Sequence, residues 1–324
     1  MIESIHLKNF TVFENVKIDF CRGINLIMGQ NGTGKTHLLK AIYSMISAAC
    51  QKKSVAYKLS GVFLPENGSI KRLIRRTTPD AEAIIALNYN GNVFKYVFSV
   101  SAGEINRIFP SDCLKGDVVL IPASEILADA IGYKTINFEE NFRDLINQAS
   151  GVASNLADYS EIAERIESIL GGTAVEAGGS FFLKTKKGKI EFSLLAEGLR
   201  KFGLLDLLLK NGVLKAGAVL LWDLPENCVN PSLIRSLVEI VLSLQRLGVQ
   251  NFITTHSYVV FREFDLQAKK EDRIRYFTLT REEKTEAVTC TSNDDYIEAT
   301  PGFILDAYND IYTREVQRSI GGIS

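Results

Sequence analysis

No apolar run in this sequence approaches the ~18 residues that a membrane-spanning helix needs, so no span is expected. Cysteine is sparse. Cys21, Cys50, Cys113, Cys228 and Cys290 are scattered, without a C-x-x-C pair. That pattern fits reduced thiols in a cytoplasm and argues against a disulfide framework or a zinc site. The N-terminus, Met1-Ile2-Glu3-Ser4, lacks a charged segment followed by an apolar one, so no signal peptide is expected. Net charge is nearly absent: 37 Lys and Arg against 38 Asp and Glu leave −1. Whole-molecule attraction to nucleic acid is therefore not expected, although local patches can still act. There is no internal repeat and no heptad run of coiled-coil length. What is present is a globular composition. Hydrophobic residues make up 46% of 324, ample for a core, and the length suggests about two domains or one with a large insertion.

Residues 29–36 read Gly-Gln-Asn-Gly-Thr-Gly-Lys-Thr and fit G-x-x-x-x-G-K-[ST], the phosphate-binding loop. An apolar strand pattern over 24–28 precedes it and a helix-forming run over 37–49 follows, which is the context the motif needs. Gly29, Gly32 and Gly34 let backbone N–H groups curl around an anion, and the helix N-terminus adds partial positive charge. Lys35 is expected to reach the β- and γ-phosphates, and the Thr36 hydroxyl to hold Mg²⁺. With Asn31 and Thr33 these residues form the expected nucleotide-binding set. A glycine-rich turn that binds nothing is the competing reading, and the completeness of the motif argues against it.

The front of the chain reads as strands over 2–7, 16–20 and 24–28, then turns β-like from 62 to 100. Within that stretch, segments 83–89 and 93–100 are joined at Asn90-Gly91-Asn92, a hairpin signal. A short strand over 117–121 ends at Pro122. Helices are expected over 138–149 and 159–170, the second stopped by Gly171-Gly172. A hairpin over 181–185 and 189–193 follows, then a helix over 199–209, a strand over 218–222, a helix over 232–247, a strand over 251–255 and a mixed C-terminal segment. The expected fold is α/β, with one mixed sheet, a β-rich front lobe and a short helical insert.

Residues 218–223 form an apolar strand ending in Asp223, a Walker B pattern in which the carboxylate holds Mg²⁺. Asp223-Leu224-Pro225-Glu226-Asn227-Cys228-Val229-Asn230-Pro231 aligns with the D-E-P-x-S-A-L-D-P stretch of ABC-type ATPases. His256, in Thr254-Thr255-His256-Ser257, stands 33 residues after Asp223, as the switch histidine does in that family. Leu195-Ala196-Glu197-Gly198-Leu199-Arg200-Lys201 sits where the L-S-G-G-[QE] signature belongs. Ile5-His6-Leu7-Lys8-Asn9-Phe10 and Gly23-Ile24-Asn25-Leu26-Ile27 add to the likeness. The chain resembles the ABC-type ATPase heads of SMC, RecF and DNA-repair proteins, and is most similar to short bacterial AAA-named ATPases related to the OLD family.

The resemblance implies an ABC-type P-loop fold in which the short insert replaces a coiled coil. It implies ATP and Mg²⁺ as ligands and head-to-tail dimers, or higher oligomers, that trap two ATP molecules. Ala196, Glu197 and Gly198 would then face the γ-phosphate held by a second protomer, and His256 would sense that phosphate. Glu125 corresponds to the polar Q-loop residue that contacts the metal or its water; an ordinary helix-start Glu near Ser124 is the alternative. Two departures stand out. Leu224 occupies the place of the usual catalytic Glu, and losing a general base typically costs ~10²–10⁴-fold. Ala196 replaces the signature Ser. Both changes imply slow turnover with binding retained. Glu226 either substitutes as the base or serves as a dimer contact.

The division that follows is a front ATPase lobe over 1–123 with the phosphate loop and a β-rich subdomain, a short helical and β insert over 124–192, and a C-terminal lobe over 193–324. The leading function is a cytoplasmic ATP-dependent dimerising ATPase that switches a protein effector, with a nuclease and phage defence suggested by family analogy alone. A non-hydrolysing, ATP-clamped interaction scaffold is the alternative. A nuclease in its own right fits poorly, because Asp294-Asp295 lacks Asp-x-Asp spacing. A GTPase also fits poorly, because no Asn-Lys-x-Asp motif is present. Nucleic acid is left open by two basic clusters: Lys52, Lys53, Lys58, Lys71, Arg72, Arg75 and Arg76; and Lys184, Lys186, Lys187 and Lys189. A solvated face is the plainer reading of each.

Overall fold

The computed structural model describes residues 1–75, 80–109, 117–124, 127, 139–151, 159–299 and 302–321. Strands β1 (Ile2–Phe10) and β2 (Phe13–Asp19) form an antiparallel hairpin, and β3 (Ile24–Gly29) leads into the phosphate loop. Helix α1 (Lys35–Cys50) follows, then α2 (Val55–Phe63), where Ser54 caps the N-terminus by accepting from the Tyr57 N–H. From sequence no element is expected over residues 55–61, and only the last two residues of this helix, Val62 and Phe63, fall in the stretch that reads as β-like. Its apolar residues Val55, Leu59 and Val62 are buried at helical spacing. Strands β4 (Glu82–Tyr89), β5 (Asn92–Ser99) and β6 (Gly103–Ile108) complete a five-stranded antiparallel sheet in the order β2-β1-β4-β5-β6. Tyr89 pairs with Asn92, and Asn90 and Gly91 both take positive φ, so the turn is the two-residue type that Asn-Gly favours.

Strand β7 (Val118–Ile121) precedes helices α3 (Glu140–Ala149) and α4 (Ser160–Leu170). Gly171, at φ 66°, ends α4. A three-stranded sheet of β8 (Thr173–Ala177), β9 (Ser180–Thr185) and β10 (Gly188–Glu191) comes next, then α5 (Glu197–Lys210). The rest is β11 (Val219–Asp223), α6 (Pro231–Arg246), β12 (Gln250–Thr255), α7 (Tyr258–Gln267), β13 (Ile274–Arg281), β14 (Val288–Asn293), α8 (Tyr296–Ala299) and α9 (Gly302–Gly321).

The second large sheet is mixed, with the order β14-β13-β3-β12-β11-β7. Strands β3, β7, β11 and β12 are buried along their whole length, as strands covered on both faces must be. Alternation divides their side chains. Leu26, Met28, Leu220 and Trp222 pack with α5, α6 and α7, whereas Ile27, Val219 and Leu221 pack with α1 and the five-stranded sheet. The C-terminal segment is therefore part of the core: β13 runs parallel to β3 from Ile274–Ile24 to Leu279–Gly29. No coiled coil is present among the described residues, and no described helix is long and apolar enough to cross a membrane.

The front basic cluster differs from its sequence reading. Lys58 is fully buried and bridges Asp144 at 2.8 Å and Glu140 at 2.9 Å. Lys53 pairs with Glu140, Arg72 with Glu66, and Arg75 donates to the Val12 carbonyl at 3.2 Å. These cations link α1, α2 and α3 or pin turns. Arg76 lies outside the described residues.

Candidate nucleotide site

The site is built where β3, β11 and β12 end side by side. After β3 the chain turns through Gly32 (φ 80°) and Gly34 (φ 90°), conformations that glycine adopts without strain. Contacts also demand glycine here. A Cβ on Gly34 would lie 2.5 Å from Val12 Cγ2, and one on Gly29 would lie 2.7 Å from the Leu279 carbonyl. Lys35 is buried, and its ammonium donates to the carbonyls of Gly29 (2.7 Å) and Gln30 (3.0 Å). Burial lowers the Lys35 ammonium to about 8, partly offset by the carboxylates of Asp223 and Glu226. Thr33 closes the loop by donating to the Gln30 carbonyl at 2.9 Å.

The Thr36 hydroxyl donates to Asp223 Oδ2 at 2.7 Å. The other Asp223 oxygen accepts from the Thr254 hydroxyl, which itself accepts the Leu224 N–H at 3.0 Å. Asp223 and Thr254 are register partners in the parallel β11–β12 pair, so the sheet itself delivers this contact. Leu224 takes φ 46°, a left-handed conformation costly for a branched side chain. The buried Lys201 ammonium lies 3.4 Å from the Leu224 carbonyl and 3.5 Å from that of Pro225. Glu226 Oε1 accepts from the Thr255 hydroxyl (2.7 Å) and the His256 N–H (3.1 Å). Glu226 Oε2 is buried without a hydrogen-bond partner among the described residues. Partial burial, and then the Lys35 charge, push the His256 imidazole below its usual value.

Asn31, Gly32, Gly34, Lys35, Thr36, Leu224 and His256 line a cleft of about 250 Å³, with Val12 and His37 as further walls. Asp223 and Glu226 do not line it, but their carboxylates act on the Lys35 ammonium within it. Ala196, Glu197 and Gly198 do not line this cleft. They begin α5 and pack on the loop after Walker B, where a Cβ on Gly198 would lie 2.7 Å from the Cys228 carbonyl. Glu125 lies outside the described residues. The converging Thr36 hydroxyl and Asp223 carboxylate are hard oxygen donors and suit Mg²⁺. When bound, the ion would neutralise phosphate charge. Three positioning groups escaped the sequence reading: Thr254, Thr255 and Lys201. In the sequence, Thr254 and Thr255 enter only as neighbours of His256, and Lys201 only as a basic residue after the signature-like segment, without roles of their own.

Residues 1–164 match the family described as "AAA ATPase domain". The chain belongs to that family. Residues 126–262 also match "AAA domain, putative AbiEii toxin, Type IV TA system". Among curated proteins, an ATP/GTP phosphatase of Helicobacter pylori is 48% identical over 46 residues, 14% of this chain and 12% of that protein. The chromosome partition protein Smc of Methanocaldococcus jannaschii is 36% identical over 67 residues, 21% of this chain and 6% of that protein. RecF of Lactococcus lactis is 45% identical over 42 residues, 13% and 12% of the two chains. The matched stretches are thus small parts of those relatives. A solved Smc head bound to the C-winged helix domain of ScpA aligns over 90% of this chain and 97% of that one, with TM-score 0.57 and 16% identity. A Pyrococcus furiosus Smc head with an extended coiled coil aligns over 96% and 99%, with TM-score 0.52 and 12% identity. The fold is that of the solved SMC heads, and the AAA ATPase domain match, with the short likenesses to Smc and RecF, is consistent with an ABC-type ATPase head of the OLD, SMC and RecF group.

Proposed function

We propose that this ATPase head is an ATP-dependent dimerising switch with slow hydrolysis. The observation that carries the reading is the separation of the Ala196–Gly198 segment from the chain's own phosphate cleft. A segment that starts a helix at an exposed Ala196 supplies N–H groups suited to a phosphate. A second protomer can present its cleft to it. Lys35, the loop amides and Thr36 hold the triphosphate, with Thr36, Asp223 and Glu125 as metal ligands. His256 sits at the cleft edge to sense the γ-phosphate.

Slow turnover follows from Leu224. Its side chain fills the cleft wall and cannot orient water or take a proton. Glu226 is the nearest substitute. Its fixed Oε1 and unpartnered Oε2 also support a second reading, a clamp that binds ATP without hydrolysing it. The division at 1–123, 124–192 and 193–324 belongs to the same proposal. The switched partner is a protein effector such as a nuclease, in a cytoplasmic defence role; the toxin-system wording of the second family match supports this direction.

Light scattering on the full chain tests the core of the proposal. Mass should rise toward a dimer or higher assembly with ATP and Mg²⁺, and Lys35→Ala should abolish the rise. A strict monomer at saturating ATP sinks it.

A further inference from the structure

We infer that the β9–β10 hairpin is a binding element for single-stranded nucleic acid. The inference starts from a pairing that folding does not favour. Lys184 and Lys189 are register partners in the antiparallel β9–β10 ladder, so two ammonium groups project side by side from one face. Like charges directly opposite each other destabilise a sheet. Lys186 and Lys187 add two more positive charges in the turn, and all four lysines are exposed. The turn is held in shape by Thr185, whose hydroxyl accepts the Lys187 N–H and donates to the Gly188 carbonyl.

Counter-charge separates this cluster from the one at the front of the chain. There, Lys58, Lys53 and Arg72 are tied to carboxylates. None of the four hairpin lysines forms an ion pair among the described residues. Glu191 is the carboxylate on the same face, and it stands opposite Phe182, away from the turn.

Phe182 supplies the second half of the inference. Strand alternation buries Phe181 and Leu183 and turns Phe182 outward with Lys184. The Lys189 ammonium lies 5.8 Å from the centre of the Phe182 ring. A half-exposed ring on the central strand β9, beside lysines without carboxylate partners on β9 and the edge strand β10, combines a stacking surface with phosphate contacts. That combination suits unstacked bases, because a duplex offers no base face to a ring. DNA and RNA strands share this chemistry. The site is separate from the phosphate cleft, and binding there does not depend on the dimer reading.

Fluorescence anisotropy on the full chain, with labelled oligo-dT, oligo-U and a duplex of equal length, tests the inference. Four lysine–phosphate contacts imply a log–log salt slope near −2.8 for single strands, about −0.7 per contact. The pair Lys184→Thr with Lys189→Thr should weaken binding roughly ten-fold or more at 50 mM salt and bring the slope near −1.4. The same pair should leave the melting temperature unchanged or higher, because the like-charge contact is gone; a structural role would move it the other way. Phe182→Leu should weaken single-strand binding at least about five-fold with the slope unchanged. Lys35→Ala should lose ATP but keep the oligonucleotide, which keeps this test apart from the nucleotide reading. The dT and U arms decide between DNA and RNA, and a preference for either supports the inference. It is overturned if wild type binds no single strand, if the lysine pair leaves affinity and slope unchanged, or if Phe182→Leu has no effect and the duplex binds equally well.

Discussion

Thr36 and Asp223 stand 187 residues apart in sequence and meet hydroxyl to carboxylate at 2.7 Å. This contact closes the site, because it joins the first turn of α1 to the end of β11. It also makes the metal dependence testable. In wild type, chelating Mg²⁺ should lower ATP affinity at least ~10-fold, since phosphate charge then goes unneutralised. In Asp223→Asn, titration calorimetry should show weaker binding with Mg²⁺ and a smaller further loss on chelation. Equal Mg²⁺ dependence in both proteins would remove Asp223 from the metal site.

Lys35→Ala should abolish measurable ATP binding while leaving the fold intact. Among the described residues the lysine bonds carbonyls of its own loop, at Gly29 and Gln30. Removing it also removes a buried cation, so melting should shift little. Wild-type-like affinity in calorimetry would end the phosphate-loop assignment.

Leu224→Glu should raise turnover about ten-fold or more. The side chain already lines the cleft, and both residues bear the same left-handed backbone cost. Glu226→Gln should lose residual turnover with ATP affinity kept if Glu226 is the base; weakened assembly instead makes it an interface residue. Thr255→Val, which frees Glu226 Oε1 of its 2.7 Å donor, should change turnover in the same assay without touching the phosphate loop. Fast wild-type turnover that ignores Glu226→Gln would show that another group orients the water.

Lys58→Met should destabilise the protein by about 3 kcal/mol, since Asp144 loses its only ion-pair partner among the described residues while Glu140 keeps the half-exposed Lys53. Chemical denaturation measures this directly. A change below about 1 kcal/mol would show that the carboxylates find other donors.

Acid should act through the same cluster. Burial pushes the Asp144 carboxyl up, but hydrogen bonds from Lys58 and Tyr43 outweigh it and hold it below its ordinary 3.8. A depressed carboxyl contributes stability above its unfolded value and loses it as pH falls through the lower folded value. The melting temperature should therefore drop below about pH 4. Asp144→Asn should start lower and fall less steeply over that range.

The candidate nucleotide site was legible as a cluster because its parts are local. A phosphate loop, an apolar strand ending in Asp223, and a strand ending in Thr254-Thr255-His256 each carry their chemistry within a few residues. The mixed sheet followed from the same strands. Helix α2 was not legible: its nine residues mix Val55, Leu59 and Val62 with Gly61, and short apolar runs satisfy either period. Strand β13 was hidden in a similar way, because its place beside β3 depends on pairing 250 residues away. The anchoring of Glu226 by Thr255 was equally out of reach, since it depends on how two strand ends meet. Lys58 read as surface charge because its partners Glu140 and Asp144 lie in another helix.

The neighbours of β3 set a timetable for synthesis. The phosphate loop is synthesised well before both strands that flank β3, which come from residues 250–255 and 274–281. At the ~5–20 residues per second of translation, that interval lasts on the order of 10–50 s. The antiparallel sheet of residues 2–108 can form within it, but β3 remains an apolar strand with both edges open, a template for wrong pairing. The strand that carries the phosphate loop thus waits for residues 250–281 before both its edges are paired. A product stopped before residue 279 carries the complete motif on an unfinished sheet.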